Sequence, residues 1–148
     1  MINFEHPEDQ RFFESLLCGP GEDLVAYSYL FDFRPPTEKR AEFNGRMRAL
    51  KTQLVARFGQ VCQLRLLEEC DPGAGLAIDH VIPLSTNKLN KELRNLVAAK
   101  GRKVATQSFG SNNIQNLVFA CGRCNGYKKH RFLTREQLKR VLSVHKAV

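Results

Sequence analysis

Apolar and polar positions alternate along this chain with two different periods, and the change of period divides it. In residues 7–17 the apolar positions Phe12, Phe13, Leu16 and Leu17 fall on a helix-like stripe. Pro7 suits a first helical position and Gly19-Pro20-Gly21 closes the run, so a short docking helix is expected. Leu24 to Phe33 is aromatic-rich (Tyr27, Tyr29, Phe31, Phe33) and stops at Pro35-Pro36, which fits either a strand or a helix packed on a core. From Thr37 to Phe58 the residues Phe43, Met47, Leu50, Leu54 and Phe58 recur at spacings of three and four, predicting an amphipathic helix ended by Gly59. Arg40, Arg48, Lys51 and Arg57 on its other face read as a solvated face.

After Gly59 the pattern turns strand-like. Val61 to Leu67 reads extended, Asp71-Pro72-Gly73-Ala74-Gly75 reads as a turn, and Leu76 to Val81 reads as a second strand, together a hairpin leading into Asp79-His80. A long excursion follows from Leu84 to Asn113, with a helix predicted over Lys88 to Lys100, stopped by Gly101, and a polar, flexible-looking Ser108 to Asn113. Leu117 to Ala120 predicts a short buried strand, Asn125 to Arg131 a basic helix, and Thr134 to His145 a last helix with the capping pattern Thr134-x-x-Gln137. The class is α+β: a helical segment over residues 1–58 packed on a core over residues 59–148, in one compact unit. A length of 148 residues with 43% apolar content supports one core rather than two.

No window approaches the ~18 unbroken apolar residues that a membrane span needs, and Met1 to His6 lacks a basic end followed by an apolar run. A soluble, unexported, cytoplasmic protein is expected, without a membrane partner. Five cysteines, two of them in Cys121-x-x-Cys124 beside a basic run, suit metal binding in a reducing compartment better than a disulfide framework.

The net charge of +8 is unevenly spread. Residues 1–83 hold 9 Lys/Arg against 13 Asp/Glu, and residues 84–148 hold 14 against 2. A polycation of this kind attracts a polyanion, with nucleic acid the default partner, although charge alone does not separate DNA from RNA. Arg123, Lys128, Lys129 and Arg131, with Lys100, Arg102 and Lys103 on the excursion, are the candidates to track phosphates; such contacts position a backbone without reading bases.

Two stretches carry candidate chemistry: Ile78-Asp79-His80-Val81-Ile82-Pro83, and Asn116-Leu117-Val118-Phe119-Ala120-Cys121-Gly122-Arg123-Cys124-Asn125. Cleaving a phosphodiester needs a deprotonated water on one side of phosphorus and positive charge at the departing oxygen on the other. A neutral His80 can take the proton, while Asp79 and Asn125 offer the oxygens that Mg²⁺ or Mn²⁺ prefers. Adjacent strand residues point to opposite faces, so Asp79 and His80 can share a site only if the strand ends or bends there. Pro83 makes that plausible.

Asp79-His80-x-x-Pro83, Asn116-Leu117 and Cys121-x-x-Cys124-Asn125-x-x-Lys128 together resemble the HNH family of endonucleases, whose core is the ββα-metal motif. Asn116 and Asn125 are nine apart, as that family separates its middle and last signature residues. Asn in the last position is a variant shared with phage junction-resolving enzymes of the endonuclease VII type. The resemblance covers residues 59–131. It implies His80 as general base, Asp79 and Asn125 as ligands of one catalytic Mg²⁺ or Mn²⁺, and Asn116 as a brace for the loop between the strands that also helps to orient His80. It further implies Lys128 on a phosphate, and a DNA substrate cut one strand per active site.

Relatives often carry two C-x2-C pairs. Cys121 and Cys124 fit the second, but upstream stand Cys62 and Cys70, seven residues apart, with Arg65 where the second cysteine belongs. If Val61 to Cys70 folds back, all four thiolates could hold a structural Zn²⁺; otherwise Cys62 and Cys70 are buried thiols. Cys18 reads as a buried thiol, and His6 and His145 as ordinary exposed histidines. His130, five after Asn125, is a candidate extra metal or phosphate contact.

Other readings remain open on the sequence. One is a non-catalytic, zinc-stabilised nucleic-acid-binding module. Another is a toxin-like or defence effector directed by a partner. The N-terminal helical segment could reach that protein partner or a second copy in a homodimer.

Overall fold

The computed structural model describes residues 2–70, 75–129 and 131–146. His130 and most of the turn expected at residues 71–75 lie outside them.

Helix α1 spans Pro7–Leu17, with proline at its first turn and Glu8 and Asp9 at its positive end; Phe13 and Leu17 are buried. Leu24–Leu30 is neither strand nor α-helix but a pair of 3-10 turns, capped by Asp23, whose carboxylate accepts from Val25 N at 3.0 Å. Helix α2 spans Pro36–Phe58 and buries Phe43, Leu50 and Leu54, while Met47 of the predicted stripe faces out. In its first turns Lys39 is buried instead. Its Nζ donates to the carbonyls of Asp32 (2.7 Å), Leu84 (2.9 Å) and Gly110 (2.6 Å), using all three hydrogens. Burial pulls its pKa down to about 8, so it stays mostly charged at neutral pH.

Strand β1 (Ala77–His80) pairs antiparallel with β4 (Leu117–Ala120), in the register Ala77 opposite Ala120 and His80 opposite Leu117. The hairpin expected between Val61–Leu67 and Leu76–Val81 does not form. Residues 61–67 lie along the other edge of β4, where Gln63 N donates to Phe119 O (2.8 Å) and Gln63 Oε1 accepts from Phe119 N (2.7 Å). The reason is the composition of β4. All four of its residues are buried, so it must be covered on both faces and both edges, and β1 and Gln63 each take one edge. Val118 and Ala120 join one core cluster with Phe13, Leu17, Leu30, Leu138 and Val141, whereas Leu117 and Phe119 join another with Phe43, Leu50 and Leu54. This is the strand's period of two.

The excursion forms a second small antiparallel pair, β2 (Ser85–Thr86) with β3 (Gln107–Ser108). Helix α3 covers only Lys88–Glu92, not the run to Lys100. Asn95 takes a left-handed φ of 54°, and Leu96 N donates back to Asn90 O at 2.9 Å, an asparagine-capped end. Asp9, buried in α1, accepts from Arg94 (2.6 Å) and Gln107 (2.7 Å), tying α1 to the excursion.

Residues 108–113, which read as flexible, are packed: Phe109, Gly110, Ser111 and Asn112 are buried. A Cβ on Gly110 would run into the carbonyls of Ile82 and Pro83, so only glycine lets this segment lie against the turn after β1. Helix α4 (Gly122–Lys128) follows β4 directly, and α5 (Arg135–Ser143) starts with the predicted Thr134/Gln137 capping box. The architecture is α+β with small antiparallel sheets, and no described helix is long and apolar enough to cross a membrane.

Candidate active site and metal centre

β1 stops at His80, and the following turn brings Asp79 and His80 to one cleft of about 350 Å³, shared with Asn125, Lys128, Lys129 and Arg131. Asn116 holds that turn. It is fully buried; its Oδ1 accepts from Ile82 N (2.8 Å), and its Nδ2 donates to Ile82 O (3.0 Å) and Ser111 O (2.8 Å). Asn116 therefore staples the loop after β1 to residues 111–116 and has no hydrogen bond to the His80 ring.

His80 is oriented by another residue. Its Nε2 lies 2.9 Å from Asn112 Oδ1, and the Phe43 ring of α2 packs against the imidazole in a T-shaped contact at 4.7 Å between centroids. Burial drives the His80 pKa down to about 4, further lowered by the nearby charges of Lys128, Lys39 and Arg40 and opposed by the Asn112 bond. The imidazole is neutral at pH 7, as a proton acceptor must be.

Asp79 is nearly sealed from solvent, and burial pushes its carboxyl pKa up against the pull of Lys128. Lys128 is not turned out toward a phosphate. Its Nζ lies 3.0 Å from Asp79 Oδ2 and donates to His80 O at 2.9 Å, a buried pair in which each ion offsets the other's desolvation. Even so, Asp79 Oδ2 has no hydrogen bond of acceptable geometry, the only such buried side-chain atom among the described residues. Asn125 is exposed in the cleft, and its carboxamide makes no hydrogen bond among the described residues.

The cations divide into two groups. Lys129 and Arg131 line the cleft with Lys128, and Arg131 stacks over Tyr127 at 4.4 Å. Arg123 lies outside it and pairs with Glu69 at 2.8 Å. Lys100, Arg102 and Lys103 are exposed on the excursion and do not line it either. Two further cations do, Arg40 of α2 and Lys88 of α3, together with Ser85 and Thr86. The sequence pattern dismissed Arg40 as a solvated helix face, and nothing in the pattern marks Lys88 or Asn112. A larger open groove of about 690 Å³, lined by Tyr29, Glu42, Arg46 and Asn113, holds no comparable set of groups.

The second centre is made of sulfur. The Sγ atoms of Cys62, Cys70, Cys121 and Cys124 all lie within 4.8 Å of one another, an arrangement that could hold a metal ion. The fold-back that permits this turns on Arg65, which takes a left-handed φ of 43° and donates from Nε to Cys62 O at 3.1 Å. Leu66 N points at Cys124 Sγ (3.3 Å) and Cys124 N at Cys121 Sγ (3.4 Å), so two sulfurs act as acceptors, the role of a thiolate. Burial, and then the neighbouring sulfurs, hold the Cys70 thiol well above its ordinary range. Burial also raises Cys124, so both would surrender protons to a metal. Cys18 is half-buried and stands apart from the set.

His145 is not an ordinary surface histidine. Its Nε2 meets Leu117 O at 2.8 Å, its Nδ1 meets Arg57 at 3.2 Å, and Phe58 packs on the ring. No model of a known family, no curated protein and no solved structure matches the chain.

Proposed function

We propose that the chain is a metal-dependent endonuclease of the HNH type that hydrolyses phosphodiester bonds of DNA, one strand at each visit. One observation carries this reading: a neutral imidazole, a buried carboxylate with an oxygen lacking a hydrogen bond, and a carboxamide with no hydrogen bond among the described residues share one basic cleft, on a strand pair followed by a helix. His80 acts as general base and takes the proton of the attacking water. The residues fit a hard divalent cation, since the Asn125 carboxamide has no hydrogen bond among the described residues, and Asp79 Oδ2, though 3.0 Å from Lys128 Nζ, has none of acceptable geometry. Bound there, Mg²⁺ or Mn²⁺ would supply positive charge for the departing oxygen. Arg40, Lys88, Lys129 and Arg131 hold the phosphates on the rim, while Asn116 keeps the β1 turn in the shape that lets Asp79 and His80 face one space.

The four-sulfur set suits Zn²⁺ in a closed structural site, because soft thiolates in a tetrahedral group of four are its preferred surroundings. There it would clamp residues 62–70 to the start of α4. DNA rather than RNA is chosen from the sequence resemblance, since the cations suit any phosphate backbone.

The test is cleavage of supercoiled plasmid by purified protein with Mg²⁺, Mn²⁺ or EDTA, beside His80→Ala. Metal-dependent nicking that disappears in the variant is the expected result. Binding without cleavage under either metal would replace this reading with a non-catalytic nucleic-acid-binding module.

A further inference from the structure

Asn112 stands between α2 and His80, and the two ends of its carboxamide can be told apart. Lys39 O and Glu42 Oε1 face one end at 2.8 and 3.3 Å, and both can only accept, so that end is the NH₂ group. The oxygen is then the atom 2.9 Å from His80 Nε2, and Nε2 must carry the ring hydrogen. In a neutral ring the lone pair is left on Nδ1. That atom has no partner among the described residues and is not a sealed buried atom.

We propose that Asn112 is a positioning residue: it fixes both the tautomer and the rotation of His80, which lines the cleft, and leaves Nδ1 as the ring atom that can take a proton. The proposal rests on reading His80 as the general base, and it makes helix α2 a working part of the site. α2 supplies the Lys39 carbonyl that fixes the Asn112 amide, the Phe43 ring that limits rotation of the imidazole, and Arg40 on the rim. The Asn112 segment is itself immobilised. Lys39 Nζ holds Gly110 O at 2.6 Å, Ser111 Oγ donates to Tyr29 O at 2.6 Å, and Gly110 lies against the β1 turn with no room for a side chain. A base held this way loses little freedom when substrate arrives, and a misplacement of about 1 Å is worth about 100-fold in rate.

The experiment uses full-length protein labelled with ¹⁵N-histidine. Long-range ¹H–¹⁵N spectra should show His80 with a slowly exchanging Nε2–H and an unprotonated Nδ1. In Asn112→Ala the slow exchange should be lost, and kcat for plasmid nicking should fall about 100-fold with KM for DNA unchanged. Asn112→Asp keeps an oxygen facing Nε2 but sets its second oxygen against the acceptors Lys39 O and Glu42 Oε1, so it should recover the protected proton and only part of kcat. A wild-type ring protonated at Nδ1, or an Asn112→Ala protein with unchanged exchange and kcat, overturns the proposal. Should Asn112→Ala fail to fold, the wild-type tautomer and the Asn112→Asp comparison decide. A protected Nε2–H that depends on Asn112 in a protein that cleaves nothing would leave the positioning intact and sink the nuclease reading instead.

Discussion

Cys70 is the informative place to break the four-sulfur set, because it is the half-buried member, whereas Cys62, Cys121 and Cys124 are fully buried and their loss would also open cavities. The described residues between Gly59 and Leu76 contain no helix or strand. Residues 60–70 are held by the Gln63 pair on β4, by Arg140 on Leu64 O (2.6 Å) and by the sulfurs. Structural zinc binding is worth about 10–16 kcal/mol at pH 7, against a net stability of about 5–15 kcal/mol for a domain. A chelated wild-type protein should therefore lose its cooperative transition. Cys70→Ser leaves three ligands, and since outer-shell changes alone cost 10–100-fold in affinity, about 100-fold is a conservative loss. That is about 2.7 kcal/mol, or a fall in Tm of about 5–10 °C for a chain of this size. The assay is elemental analysis of protein purified under reducing conditions, with calorimetric melting with and without chelator. Less than one zinc per chain, together with coincident melts of wild type and Cys70→Ser, would refute the reasoning.

Three further outcomes follow from the geometry. Lys128→Met leaves the Asp79 carboxylate buried without its cation, so stability at pH 7 should drop by about 3–5 kcal/mol. Mg²⁺ should raise the Tm of this variant more than that of wild type, because the ammonium no longer occupies the carboxylate, and a variant whose melting ignores Mg²⁺ would contradict a cation site there. His145 is neutral in the fold, since Leu117 O only accepts and Arg57 only donates; burial lowers its pKa, with Arg57 adding to the effect against the Leu117 bond. With the folded value below the unfolded one of about 6.5, its contribution is complete above that pH and is lost as pH falls below it. Urea midpoints between pH 8 and 5 should thus slope less in His145→Phe than in wild type, and equal slopes would exclude the assignment. Arg40→Ala should weaken DNA binding and reduce the salt dependence by about one unit of slope, whereas Arg123→Ala, already paired with Glu69, should change neither; equal effects in filter binding at graded salt would dissolve the distinction.

Local periodicity was enough to determine several elements. The stripe Phe12, Phe13, Leu16 and Leu17 with its proline and glycine boundaries gave α1 its observed limits, the run Leu117–Ala120 its strand, and Thr134-x-x-Gln137 its capping box. These depend only on neighbours within a few residues, and the chain writes such information directly. The adjacency of Asp79, His80, Asn125 and Cys121/Cys124 in suggestive motifs was likewise visible in the order of residues.

Partner choice was not visible. Which segment flanks β4 was decided by burial on both its faces and both its edges, a property of the assembled core. The closing of Cys62 and Cys70 onto Cys121 and Cys124 needed a left-handed Arg65, a conformation that no local rule assigns to arginine. Residues 108–113 read as a polar loop because their partners are remote: Asn112 bonds to Lys39 and Ser111 to Tyr29, 73 and 82 positions away. A polar side chain is buried only where the folded chain supplies acceptors and donors for it. The sequence by itself therefore determined which groups were present to do chemistry, while tertiary structure decided which of them hold the histidine, the carboxylate and the sulfurs in place.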